Sequence, residues 1–142
     1  MKNSIRSEIG IFESIVGAVV GRCPYGLLVV ADRDSVDSHG DWDPAVEIVH
    51  AGTDSLYIGV QDAAMGMIMV IVAEGGSMSS GASLLHEGVH GFPSLSLHLY
   101  EPDESFSLVI PVDGGVNMVK IYGNATKAPS EIVVLIGGVD AE

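Results

Sequence analysis

Two stretches of the chain gather side chains able to do chemistry. In the first, Tyr25 to Pro44, an apolar run from Leu27 to Ala31 leads into a segment carrying Asp32, Asp34, Asp37, Asp41 and Asp43, with His39 and the only tryptophan, Trp42, among them. Several carboxylates in a short segment can ligate a hard cation such as calcium, or can face a cationic protein with the indole as an apolar anchor. In the second, His86-Glu87-Gly88-Val89-His90, two imidazoles stand four residues apart with a carboxylate between them. On a helix that spacing turns both rings to one side, where they could hold a transition metal while the glutamate activates a bound water. The serines Ser77, Ser79, Ser80 and Ser83 form no nucleophile elbow, and Gly75-Gly76 and Gly114-Gly115 match no phosphate loop.

Neither metal motif is complete. The string HEGVH resembles the zinc-peptidase signature over its five residues and nowhere else in the chain. That resemblance implies zinc on His86 and His90, hydrolysis assisted by Glu87, and a helix from Ala82 to about His90. Gly88 weakens such a helix by about 1 kcal/mol relative to alanine, and Pro93 forbids its continuation. A third ligand would have to come from His98, Glu101 or Glu104. A zinc-dependent hydrolase is thus the alternative expectation rather than the first. In the acidic segment, counting from Asp32, Asp37 stands where an EF-hand needs glycine and Asp43 where it needs a bidentate glutamate. A calcium site there would be irregular, so no cofactor is expected, with zinc and calcium the two ions the residues could hold.

Charge narrows the partners further. The chain carries 19 acidic and 6 basic residues, a net charge of −13. After Arg33 no lysine or arginine occurs until Lys120, and 13 acids lie between them. A field of that sign repels nucleic acid and anionic lipid and draws in cationic proteins, so neither nucleic acid nor a membrane is expected as partner. The longest apolar run, Met65 to Ala73, is far below the roughly 20 residues of a spanning helix. Cys23 is the only cysteine, so no intramolecular disulfide can form, and the cytoplasm is the expected compartment. Lys2 and Arg6 are followed by Glu8 and Glu13, and the N-terminus reads as mature sequence.

The elements that must position these residues are strands. A length of 142 residues with 47% hydrophobic content fits one domain spanning 1–142. Gly26 to Ala31, Gly66 to Ala73 and Ile132 to Ile136 are apolar without alternation, as in strands covered on both faces. Ser55 to Gln61 alternates, with Leu56, Ile58 and Val60 on one side. Leu95, Leu97 and Leu99, then Phe106, Leu108, Ile110 and Val112 after the turn at Glu101-Pro102-Asp103-Glu104, predict a hairpin. A third strand through Val119 and Ile121 would extend it to a meander. For residues 9–20 helix and strand both stay open. About eight short strands with little helix predict an all-β fold, an antiparallel β-sandwich or partly open barrel.

On these grounds the chain reads as an acidic binding protein that neutralises a basic protein, like an immunity protein or inhibitor facing a nuclease toxin. Asp37, Asp41, Trp42 and Asp43 would carry the contact, with Glu101, Asp103 and Glu104 as a second acidic patch if the two loops share one end of the sandwich. Continuous apolar strands and six methionines would also suit a self-associating homo-oligomer.

Overall fold

A computed structural model of the chain describes residues 12, 14–36, 42–43, 47–76, 78 and 82–138. Ten strands follow one another: β1 (Ser14–Gly21), β2 (Leu27–Asp32), β3 (Val49–Ala51), β4 (Ser55–Gly59), β5 (Ile68–Glu74), β6 (Ser83–Gly91), β7 (Ser96–Tyr100), β8 (Ser107–Pro111), β9 (Val116–Gly123) and β10 (Glu131–Gly138). No helix occurs among the described residues. The strands form two five-stranded sheets, the first ordered β1-β5-β10-β9-β6 and the second β3-β4-β2-β7-β8. All pairs are antiparallel except β5 with β10. The all-β expectation holds, as a sandwich of two sheets.

The non-alternating runs occupy the interior of the sheets because each has neighbours on both edges and cover on both faces. β2 is central in the second sheet and β10 in the first, with β5 beside it. Between the sheets, Leu28, Val30, Leu56, Ile58, Leu97, Leu99 and Ile110 meet Val70, Val72, Val119, Ile121, Ile132 and Val134 in one core. Each such side chain contributes on the order of 1.5–3 kcal/mol by leaving water. A smaller apolar group lies on the outer face of the first sheet, where Phe12, Met69, Met78, Ala82 and Tyr122 pack on Ile71 and Val133.

The region whose helix or strand character was open is strand β1. Its branched residues favour the extended chain, and its glycines allow the β1 edge of one sheet to approach the β8 edge of the other. A Cβ on Gly17 would stand 2.8 Å from Ile110 Cδ1, and one on Gly21 would overlap the Phe106 ring.

The expected meander is corrected in one respect. β7 and β8 do form the hairpin, with Leu97 opposite Ile110 and Leu99 opposite Leu108. β9 instead crosses to the first sheet, between β10 and β6. Its apolar face, Val119 and Ile121, packs on the same core from the other side. Alternation fixes which face of a strand is buried, not which sheet it joins.

Candidate functional site

The register of the second sheet assembles a row of side chains on its outer face. Val29 stands opposite Tyr57 on one flank and Tyr100 on the other, Tyr57 opposite His50, and Tyr100 opposite Ser107. In the adjacent row Ala31 lies opposite His98, and His98 opposite Val109. Cross-strand partners share a face, so His50, Tyr57, Tyr100 and His98 form one polar and aromatic surface over the buried Val29 and Ala31. His98 and Tyr100 stack with centroids 4.3 Å apart, and His98 Nε2 lies 2.8 Å from the Ser107 hydroxyl. Burial, the neighbouring Tyr57 and the carboxylate of Glu104 together push the Tyr100 hydroxyl above its ordinary value.

Trp42 joins this surface. Its indole meets Tyr57 edge to face at 5.8 Å, and its Nε1–H donates to the Glu47 carbonyl at 2.6 Å. Half-buried and held in place, it presents aromatic area at little further ordering cost. Asp43 beside it is exposed, and the Glu47 carboxylate lies 3.9 Å from His50 Nε2. Asp37 and Asp41 lie outside the described residues.

The second acidic patch is only partly as expected. Asp103 and Glu104 are exposed, whereas Glu101 is completely buried. Its carboxylate accepts from the Asp103 amide at 2.9 Å, the Ser105 amide at 3.1 Å and the Ser105 hydroxyl at 2.8 Å. Burial alone would raise this carboxyl, but the three donors outweigh it and hold it below the usual range. Glu101 fastens the β7–β8 turn and offers nothing to a partner. The start of the first acidic loop and the second loop lie at different ends of the sheet. Asp32 closes β2 opposite Leu97 at the start of β7, while the turn at 101–104 follows the end of β7, where the Ser105 hydroxyl reaches the Arg22 carbonyl at 3.1 Å. Acids therefore stand at opposite ends of the sheet, Asp34 and Asp54 at one and Asp103 and Glu104 at the other, with the aromatic row between them.

Asp32 is a second inward carboxylate. It accepts from the Ser94 hydroxyl at 2.7 Å, the Ser94 amide at 2.9 Å and the Asp34 amide at 3.0 Å. Against the opposing effect of burial these donors, with Arg33 nearby, keep it below the usual carboxylate range.

The HEGVH string lies on strand β6, not on a helix. Glu87 therefore projects to the opposite face from the histidines, pairs in register with Lys120 and sits 3.5 Å from its Nζ. The zinc-peptidase arrangement, with the glutamate reaching a water on the metal, is not formed. A register shift between Leu84 and His86 makes Leu85 the extra residue of a β-bulge. Leu85 packs on the core and His86, opposite the buried Ile121, also faces inward. The bulge has reversed the phase of the rest of the strand. His86 Nε2 and His90 Nε2 lie 2.8 Å apart, and burial lowers both rings, with His86 adding to the effect on His90.

Cys23 is buried, and burial together with the Glu101 carboxylate pushes its thiol up to about 12. It is a packing residue with no thiolate to offer.

No protein-family description and no curated protein sequence matches the chain. Among solved structures, the fold is similar to ComJ from Bacillus subtilis, described as an inhibitor of the DNA degrading activity of NucA. The match has a TM-score of 0.71 over 88% of this chain and 97% of that one, at 11% sequence identity. The two chains share the β-sandwich.

Proposed function

We propose that this protein binds a cationic protein on the outer face of its second sheet and neutralises it, as an inhibitor or immunity protein neutralises a nuclease. The observation that carries the reading is the row of Trp42, Tyr57, Tyr100 and His98 set between acidic ends. Aromatic anchors with some polar character dominate binding energy at protein interfaces, while surrounding charge sets the encounter rate and the sign of the partner. A nuclease holds its substrate on a cationic surface, so an anionic face of this kind can cover it by occlusion, with no chemical step. The described role of ComJ, a protein of the same fold, adds support to an inhibitor reading.

The test uses nuclease activity. Purified protein added to an extract of the source organism should depress its DNA-degrading activity, and the captured partner should release that activity again at high salt. Trp42→Ala and Tyr100→Ala should each weaken binding by about 2 kcal/mol, roughly thirtyfold. An extract whose nuclease activity is untouched, or variants that inhibit as well as the parent protein, would refute the proposal.

A further inference from the structure

The pair His86 and His90 has a geometry that a structural role in the sheet does not require. Along a strand, residues i and i+4 lie about 13 Å apart at their Cα atoms, so their rings do not ordinarily meet. Here both lean over the residue between them on the same face until their Nε2 atoms are 2.8 Å apart, with ring centroids at 5.0 Å. That residue is Gly88, and a Cβ there would stand 3.2 Å from His90 Nε2 and 3.3 Å from His86 Nε2. Glycine leaves open the space into which both nitrogens converge. Opposite on β9 lie Asn117, Val119 and Ile121, so the floor is mainly apolar.

Two nitrogens bound to one transition metal at about 2.0–2.1 Å stand roughly 2.9 Å apart at a right angle and about 3.3 Å apart at the tetrahedral angle. The observed separation is within a small ring rotation of either. We infer that His86 and His90 form a two-histidine site for a borderline transition-metal ion such as zinc, opened by Gly88 and aimed by the bulge at Leu85. In the metal-free protein one Nε2–H donates to the other Nε2. The donating ring then carries its only proton on Nε2 and the accepting ring carries its own on Nδ1; metal binding requires the bridging proton to move by exchange with water to the donating ring's Nδ1, so that both Nε2 atoms ligate and the pair loses no net proton. Among the described residues no third histidine, cysteine or carboxylate completes the set, so water would fill the remaining positions. Glu87, turned to the other face, takes no part, and the site differs in that respect from the zinc-peptidase arrangement.

The experiment is a zinc titration of the full chain after chelation, followed by calorimetry and by nitrogen NMR of the imidazoles. One zinc per chain should bind at a pH where both rings are neutral, with a tautomer change on one ring and no net proton lost from the pair, and the Nε2 resonances of His86 and His90 should both move. His86→Gln and His90→Gln should each weaken zinc binding about tenfold or more, whereas His98→Gln should leave it unchanged. The ring resonances are read in the unaltered protein, so the test survives a variant that folds poorly. Zinc that leaves both Nε2 resonances in place, or that binds His86→Gln as tightly as the parent, overturns the inference. Either result is independent of whether the aromatic face binds a nuclease.

Discussion

Replacing Glu101 by glutamine tests whether this acid is a buried fastener or part of the binding surface. The carboxylate accepts three hydrogen bonds, from two amides and one hydroxyl within the next four residues. Bonds to a charged acceptor contribute about 1.5–3 kcal/mol each. The full sum does not apply, because Asp103 and Ser105 are exposed and their amides can turn to water. Glutamine keeps an acceptor towards Ser105 but sets an NH2 group against the Asp103 amide, which loses one good bond and faces donor to donor. A neutral side chain also recovers part of the cost of burying a charge. The net expectation is about 2 kcal/mol, or about 6 °C in melting temperature for a domain of this size. Because the folded-state pKa lies below the unfolded one, the stabilisation is present above the ordinary carboxyl pKa of about 4.3 and is lost as pH falls through the lowered value. Thermal melts should show a constant gap between parent and variant from neutral pH down to about pH 5, closing at more acid pH. A Glu101→Gln protein that melts with the parent at pH 7, or a gap that persists undiminished in strong acid, would refute the assignment. Nuclease inhibition by the folded variant should equal that of the parent.

Gly21→Ala should destabilise by about 1–3 kcal/mol by forcing a Cβ into the Phe106 ring, measurable as a lowered denaturant midpoint with unchanged slope; equal midpoints would show that β1 and β8 can part freely. Cys23, buried with its thiol raised to about 12, should resist iodoacetamide in the native protein and react on unfolding. Rapid labelling under native conditions would mean that the segment opens.

Much of the sandwich was legible because burial on two faces leaves an unmistakable trace. The runs of β2, β5 and β10 lack polar interruptions since neither side of those strands meets water, and the alternation of β4, β7 and β8 marked their inner faces. The partner of β9 was not legible, as its pattern suits either sheet. Trp42 was legible as an anchor from its rarity, but nothing in the sequence alone joined Tyr57, His98 and Tyr100 to it, since they fall on the outward positions of separate alternating strands; that three such positions are aromatic or histidine was the signal available. Glu101 could not be separated from Asp103 and Glu104 by composition, since its inward turn depends on the donors that Ser105 and the local backbone supply. The histidines were legible as a pair and misplaced by one assumption: helical spacing and a glycine-spaced strand both bring i and i+4 together, and here the rings meet over Gly88 on an extended strand, turned inward by the bulge at Leu85.

The central place of β10 also orders events in time. It is the last strand along the described chain, yet it joins β5 to β9, and β1–β5 and β6–β9 have no other link within their sheet. Until it inserts, the first sheet exists only as two separate ribbons with raw edges, which are marginal alone and prone to pair wrongly. During synthesis the half of the sandwich that holds His86 and His90 cannot close before residues 131–138 have emerged, and its assembly is a late, long-range and therefore slow step.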